Sequence, residues 1–267
     1  MKLVEVAEQR ESKISELKFL DLLKGAARNS HSQAKRTPIY KQIQSNGDFL
    51  LLNPTVSSKR GKFHIEALIA ELPSWSRYPS RDRSVVAYTS KEMAEDRGDG
   101  SLYVVIPLDA VRICVTSDVT LTRSFKKAAN KLQLPKMDNE GLTSWLESVC
   151  KVANQLGLDV KYVEPNAYKD IARMLTKLEP ISHKQVAKAK DLPDAGIDVQ
   201  RFIDFAERRG NAIGYFNELF DPEDNGYELM TPESSQLPVN REVWVGGKAI
   251  AIKRDKYQEL YDRGAIK

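Results

Sequence analysis

A glutamate and a tryptophan stand two positions apart in residues 240–245 of this 267-residue chain. Glu242 and Trp244 alternate there with Val243 and Val245, and alternate side chains of a strand point to the same face. A carboxylate beside an indole, on a strand face that does not have to meet the core, is suited to binding or catalysis. The alternative interpretation is a solvent-facing glutamate at the edge of a sheet.

A glycine pair follows this strand and leads into a second apolar run. Gly246 and Gly247 separate residues 240–245 from residues 248–252. Two-residue hairpin turns need positive φ angles, which glycine adopts without steric cost. The spacing therefore predicts a β-hairpin that carries Glu242.

Two earlier segments hold further polar side chains of interest. The first is a short extended segment that contains Tyr40 and Lys41. The second is a strand that follows Arg83 and ends in the hydroxyls of Thr89 and Ser90. These hydroxyls are equally good N-caps for the helix predicted next, and a cap and a functional site are compatible.

Taken in order, the three segments resemble the Arg–Ser–Glu class of ADP-ribosyltransferases. Those proteins have an aromatic–Arg pair on the first strand, a Ser-Thr-Ser-type strand end, and a later strand bearing Glu-x-Glu. The passage 75–118 is also similar to bacteriophage ADP-ribosyltransferase-like proteins, in which an Arg-Ser-Val strand precedes two hydroxyls, a glycine turn and a Tyr-Val-x-x-Pro strand. The resemblance covers residues of about 38–118 and 226–252.

The sequence departs from the family pattern at three points. Lys41 stands in place of the arginine, and an ammonium cannot make the planar, bidentate phosphate contact of a guanidinium. Tyr88, Thr89 and Ser90 replace Ser-Thr-Ser. Asn240 occupies the first position of Glu-x-Glu, which makes arginine a less favoured acceptor.

The resemblance implies that NAD is the substrate. Cleavage of the nicotinamide–ribose bond creates an oxocarbenium-like centre, which a nearby carboxylate stabilises. The implied catalytic residues are Glu242, Ser90 and Thr89. Basic groups would hold the pyrophosphate and an aromatic ring would stack on nicotinamide. The predicted NAD-binding residues are Lys41, Tyr40, Arg81, Arg83, Tyr88 and Trp244.

Each of these assignments has a structural alternative. Arginines such as Arg81 and Arg83 are more often solvated loop charges than ligand-binding residues. Aromatic residues such as Tyr40 and Trp244 are more often part of the core.

Hydrophobic periodicity indicates the elements that must position these side chains. Residues 3–24 have a helical apolar stripe that Gly25 ends, and residues 29–37 are predicted to form a polar link. Residues 38–123 are β-rich, and the near-continuous apolar run 102–106 is predicted to be a strand buried on both faces.

The second half of the chain changes character twice. Residues 124–220 show successive helical stripes and are predicted to form a helical block. Residues 221–267 return to the β core with the predicted hairpin and a last helix capped by Asp255. The predicted fold class is α+β: an ADP-ribosyltransferase-like two-sheet β core with an N-terminal helix, residues 1–37 including the link, and a large inserted helical block.

The alternation of side chains along the strand predicts which face each residue of the site occupies. Val243 and Val245 should face the core, so the Glu242 carboxylate should face a cleft between two small sheets, with Lys41 and Thr89 or Ser90. A buried carboxylate is costly, so it should be partly open or paired with a hydroxyl or a basic group.

Composition limits the classes of partner. With 41 basic and 37 acidic residues the net charge is +4, so nucleic acid is a possible but not a favoured partner. The longest apolar runs fall short of the roughly 18 residues that span a bilayer. The two cysteines, Cys114 and Cys150, and the three histidines, His31, His64 and His183, match no zinc pattern or disulfide framework. We expect a cytoplasmic protein, or a virion protein if a phage encodes it, without a metal.

Two functional hypotheses follow. The first is an enzyme that transfers ADP-ribose from NAD to a macromolecular acceptor. The second is a catalytically degenerate version of the same fold that acts as a phage structural or host-interaction protein, with the helical block as its partner-binding surface.

Overall fold

The computed structural model describes residues 11–54, 64–132, 212–232 and 236–266. Its strands are β1 (Glu11–Lys13), β2 (Ile39–Ile43), β3 (Phe49–Leu52), β4 (Val85–Tyr88), β5 (Ser101–Pro107), β6 (Ile113–Val115), β7 (Glu228–Met230), β8 (Glu242–Val245) and β9 (Ala249–Lys253). Its α-helices are α1 (Glu16–Lys24), α2 (Arg28–Ala34), α3 (His64–Ile69), α4 (Lys91–Asp96), α5 (Lys126–Leu132), α6 (Ala212–Leu219) and α7 (Arg254–Asp262). Predictions for 1–10 and 133–211 lie outside the described residues.

The described strands form one antiparallel nine-stranded sheet, in the order β1-β3-β9-β5-β2-β4-β8-β6-β7. The class is therefore mixed α and β, and the strands are joined in one sheet rather than the two predicted. The β2–β4 junction is narrow, because these strands pair at a single position, Tyr40 opposite Tyr88. Five strands lie on the β2 side of this junction and four on the β4 side.

One face of the sheet carries a continuous apolar cluster. Its members come from both sides of the β2–β4 junction and, among the described residues, from no helix. The cluster includes Ile39, Ile43, Leu50, Leu52, Val85, Ala87, Tyr103, Val105, Ile113, Val115, Val243 and Val245. Such a cluster fits a sheet that curls around its own apolar face. The prediction that Val243 and Val245 face the core is confirmed.

Helices cover the other face of the β2 side. Phe19 of α1 and Leu260 of α7 belong to a second buried cluster with Val104 and Ile106 of β5. The intervening Val105 belongs to the first cluster. The prediction that this strand is buried on both faces is confirmed, which explains its unbroken apolar run.

The N-terminal segment departs from the predicted helix and link. Residues 11–13 form β1 and pair with β3. The helix begins after Ser15, whose hydroxyl accepts from the Lys18 amide, and Gly25 ends it as predicted. The predicted link 29–37 is wrong over residues 29–34, because these belong to α2. The Asp109 carboxylate accepts from the backbone amides of Asn29 and Ser30 and so stabilises the start of α2.

The predicted hairpin is also wrong. The strands β8 and β9 form as expected, but β8 pairs with β4 and β6, whereas β9 pairs with β3 and β5. Gly246 and Gly247 do not adopt positive φ angles. A Cβ atom at Gly246 would lie 2.7 Å from Pro79, and one at Gly247 would lie 2.7 Å from Val111. The glycines therefore permit close packing at a crossover between two parts of the sheet.

The described residues divide into two compact units, one within 1–58, 78–120 and 228–267 and the other within 59–77 and 121–227. The first unit contains the sheet. The second contains α3, α5 and α6, so the described parts of the predicted block 124–220 are helical. It also takes residues 64–77, which the sequence had assigned to the β-rich core.

Aromatic rings form the core of the second unit. The ring of Trp75 packs against those of Phe125 and Tyr227, at centroid distances of 6.1 and 4.8 Å. The Trp75 indole nitrogen donates to the backbone oxygen of Phe220 at 2.8 Å. Among all residues that the structure describes, no helix has the length and apolar character needed to cross a membrane.

Candidate functional site

Three neighbouring strands bring a tyrosine, a second tyrosine and a glutamate into one row. Tyr40 of β2 lies opposite Tyr88 of β4, and Tyr88 lies opposite Glu242 of β8. Residues directly opposite one another on antiparallel strands have Cβ atoms about 4.5–5.5 Å apart and project to the same face. The three segments singled out in the sequence are therefore adjacent, and this row is the candidate site.

The Glu242 carboxylate is buried and held by two donors. Its side chain is 2 % exposed, and its Oε1 atom accepts from Arg81 Nε at 2.7 Å. The same oxygen accepts from the Trp244 indole nitrogen at 2.7 Å. The predicted pairing with a basic group is confirmed, but the carboxylate is enclosed rather than open to a cleft.

Tyr88 and Tyr40 are neutral phenols at physiological pH. Burial, and then the charge of Glu242, raise the pKa of Tyr88 to about 12. The charges of Arg81 and Arg97 oppose this increase. Burial also raises the pKa of Tyr40. Each tyrosine therefore keeps its proton and offers a hydrogen-bond donor on the face that carries Glu242.

Cys114 lies beside this row and was not predicted to be part of it. It is opposite Trp244 on the next strand and is fully buried. Burial, and then the charge of Glu242, raise the pKa of the Cys114 thiol well above its usual value. Because the thiolate is the nucleophilic form, Cys114 fills space here rather than supplying a nucleophile.

Thr89 fixes the chain where it enters β8. Its hydroxyl donates to the Pro238 oxygen at 2.7 Å and accepts from the Arg241 amide at 2.9 Å. Between these contacts Asn240 has a positive φ of 56°, a conformation that asparagine tolerates better than most residues. The hydroxyl thus positions the strand that carries Glu242 through the backbone.

Ser90 caps α4, as one of the two sequence interpretations proposed. Its hydroxyl accepts from the Met93 amide at 3.2 Å and donates to Glu92 Oε2 at 2.8 Å. Both hydrogen bonds stay at the start of the helix. Neither hydroxyl of the predicted pair is thus engaged with the Glu242 carboxylate in this structure.

Lys41 lies on the other face of β2 from the row. It projects to the same face as Ile39 and Ile43, which belong to the apolar cluster, whereas Tyr40 projects to the opposite face. Lys41 Nζ donates to the backbone oxygen of Val86 at 2.8 Å. The prediction that Lys41 and Glu242 line one site is wrong, and Lys41 instead links β2 to β4 where their pairing stops.

Arg81 and Arg83 are separated by the geometry of a short turn. Both belong to the 3-10 helix Arg81–Arg83. Arg81 is turned to Glu242, while the Arg83 side chain is exposed. The loop-charge interpretation therefore describes Arg83, and Arg81 is the basic residue at the site.

Thr116 supports Glu242 from the far side of β8 and was missed in the sequence. Its amide donates to the Glu242 backbone oxygen at 3.0 Å, and its hydroxyl lies 3.0 Å from the same oxygen while donating to the Asp118 backbone oxygen at 2.5 Å. It lies in the range 38–123 that is predicted to be β-rich, but the pairing of β6 with β8 depends on contacts that no local pattern reveals. Within the described ranges, no group of three or more His, Cys, Asp or Glu residues is arranged to hold a metal ion.

The arrangement supplies a fixed carboxylate, two neutral phenols and one guanidinium. These groups are suited to a ligand with a hydroxylated, partly cationic centre and an anionic group. No protein-family model, curated protein or solved structure matches the chain.

Proposed function

We propose that the chain is an ADP-ribosyltransferase-like protein that binds NAD with Glu242 at the ribose of the nicotinamide. The observation that carries the proposal is the row Tyr40–Tyr88–Glu242. The motif segments that resemble the family are separated along the chain, yet they occupy the neighbouring strands β2, β4 and β8. An accidental resemblance gives no reason for this adjacency.

The chemistry of the row fits cleavage of the nicotinamide–ribose bond. Positive charge develops on the ribose, and the Glu242 carboxylate stabilises it. The Trp244 indole N–H orients the Glu242 side chain, and the Thr116 amide holds the Glu242 backbone oxygen. Arg81 is the basic residue placed to bind a pyrophosphate, and the phenols of Tyr40 and Tyr88 provide aromatic surface. A macromolecule is the proposed acceptor of the ADP-ribose.

A second candidate function is a binding protein on a catalytically degenerate version of the fold. The burial of Glu242 against Arg81 favours it, because a carboxylate that is 2 % exposed does not reach a ligand without rearrangement. The hydrogen bonds of Thr89 and Ser90, and the position of Lys41, also favour it. A protein partner rather than NAD would then be the ligand.

NAD itself separates the two candidates. A ligand at a hundredfold excess over its Kd stabilises the folded state by about 2.7 kcal/mol. We expect NAD to raise the melting temperature and to be hydrolysed, or transferred as labelled ADP-ribose. Glu242→Gln should lower that rate roughly a hundredfold.

Glu228→Gln is the matched control, since Glu228 is an exposed glutamate on β7. It should leave both the stabilisation and the rate unchanged. Absence of NAD stabilisation and turnover in the unaltered protein would favour the binding protein. Equal turnover by Glu242→Gln and the unaltered protein would contradict the assigned role of Glu242.

A further inference from the structure

The two hydrogen bonds seen at the Glu242 carboxylate, among the described residues, differ in their exposure to solvent. Arg81 and Trp244 each donate to Glu242 Oε1. Trp244 is fully buried, whereas Arg81 is 17 % exposed. Arg81 is therefore the donor of this pair that a solute can contact from solvent.

We propose that Arg81 is an anion-operated lock that makes the site specific for ligands with a diphosphate. In the ligand-free protein Arg81 holds Glu242. When a diphosphate binds, the guanidinium exchanges the carboxylate for phosphate oxygens, and Glu242 becomes available to the rest of the ligand. The proposal rests on the proposed NAD site and names the chemical group that opens it.

The chemistry of arginine suits such an exchange. The planar guanidinium forms charge-assisted, bidentate hydrogen bonds with carboxylates and phosphates in the same fork geometry. A diphosphate carries more negative charge than one carboxylate, so it competes for the same donors. A neutral nucleoside has no anionic group to replace the Glu242 carboxylate on Arg81.

The exchange needs side-chain rotation rather than backbone movement. Arg81 begins a 3-10 turn in which the Arg83 amide donates to the Ser80 oxygen at 3.0 Å. The Ser84 hydroxyl donates to the same oxygen at 2.7 Å. These bonds anchor the backbone of the turn, while the long Arg81 side chain retains several rotatable bonds.

Thermodynamics sets the consequence for affinity. A ligand shifts a two-state equilibrium only by its difference in affinity for the two states. The locked state lowers the apparent affinity of every ligand that requires the Glu242 carboxylate, in proportion to the unlocked fraction. A diphosphate group offsets this loss, because it binds the unlocked form through Arg81. The lock therefore discriminates against ligands that match the site but lack the diphosphate.

The Trp244 indole provides a direct readout. The chain has three tryptophans, so a protein labelled with ¹⁵N-tryptophan gives three indole N–H signals. Trp244 Nε1 donates to Glu242 Oε1 and reports the charge environment of that oxygen. Trp75 Nε1 donates to a backbone oxygen and is the internal control. Trp244→Phe assigns the signal, and the probes are inorganic pyrophosphate, ADP and adenosine.

We expect pyrophosphate and ADP to shift the Trp244 signal in a saturable way. Adenosine should not shift the Trp244 signal, and none of the three probes should shift the Trp75 signal. In Arg81→Gln the Trp244 signal should start near the position reached with pyrophosphate. Its response to pyrophosphate should be roughly tenfold to a hundredfold weaker, which corresponds to the loss of charged hydrogen bonds. Arg28→Gln, at an exposed arginine of α2, should respond like the unaltered protein.

A Trp244 signal that ignores pyrophosphate and ADP in the unaltered protein overturns the lock, even if Arg81→Gln fails to fold. An equal shift with adenosine overturns its anion specificity. The NAD assay separates this proposal from the proposed function. Turnover without a pyrophosphate response removes the lock alone, and a pyrophosphate response without NAD binding or turnover removes the enzyme alone.

Discussion

The Nε atom of Arg81 lies 2.7 Å from Oε1 of Glu242, although the two residues are 161 positions apart along the chain. The pair joins the turn before β4 to the strand β8, which are already adjacent through the β4–β8 pairing. This contact is an ion pair within the candidate site, and it also connects two segments that are distant along the chain.

Loss of Arg81 should destabilise the protein more than loss of both partners. Removing one member of a buried ion pair leaves an uncompensated charge and costs about 3 kcal/mol, with the partial exposure of Arg81 reducing this value. Urea unfolding of Arg81→Gln should show a clear loss of the free energy of unfolding, and Arg81→Gln with Glu242→Gln should recover part of it. Arg28→Gln should be nearly neutral. If the double variant is as unstable as the sum of its single variants, the two side chains do not interact.

Space rather than backbone conformation should determine which residues Gly246 tolerates. A side chain there meets Pro79, so Gly246→Ala and Gly246→Asn should both cost about 1–3 kcal/mol. Gly264 offers the opposite case, because it has a φ of 72° and no atom within 4 Å of a Cβ position. Gly264→Asn should therefore cost less than Gly246→Asn in thermal or urea unfolding. The reverse ranking would support the hairpin turn that the sequence predicts.

Acid should destabilise the protein through His31. Burial, and then the Lys35 charge, lower the pKa of His31 to about 4 from 6.5. As the pH falls below 6.5 the unfolded chain binds a proton that the folded protein does not, so stability is lost between about pH 6.5 and pH 4. The loss due to His31 between pH 7 and pH 5 should be about 2 kcal/mol.

The free energies of unfolding at pH 7 and pH 5, compared between the unaltered protein and His31→Gln, measure the loss of stability due to His31. His31→Gln removes the titrating group, so its stability should depend less on pH even if it is lower at both values. The Nε2 atom of His31 lies 3.2 Å from the Tyr257 hydroxyl, and Tyr257→Phe tests whether that contact contributes. A His31→Gln variant with an unchanged pH dependence would show that His31 already titrates normally in the folded protein.

The alternation of side chains along a strand predicted part of the candidate site. Applied to every strand, it would also have corrected one residue chosen by comparison with the family motif. It correctly placed Val243 and Val245 in the core and left Glu242 on the opposite face. The same rule applied to β2 puts Tyr40 and Lys41 on opposite faces. Tyr40, rather than Lys41, is therefore the residue that joins the row.

The remaining features depend on pairings between distant segments. The local sequence is the same for a hairpin and for two strands that pair elsewhere, since both show a strand, two glycines and a second strand. The strands β8 and β9 pair with other strands and not with each other. The helix α2 is polar in sequence, and the carboxylate that stabilises its start comes from the distant Asp109. The Arg81–Glu242 contact likewise follows from the β4–β8 pairing rather than from either local sequence.

The position of β9 has a consequence for how the protein is made. This strand is the last of the described strands along the chain, yet it lies between β3 and β5, which precede it by a long interval. Until β9 leaves the ribosome, β3 and β5 each have an unpaired backbone edge beside apolar side chains, a situation that promotes aggregation. Closing so distant a pairing is slow compared with helix formation. We therefore expect nascent chains to need chaperone protection until residue 253 has emerged, and truncation before β9 to yield insoluble protein.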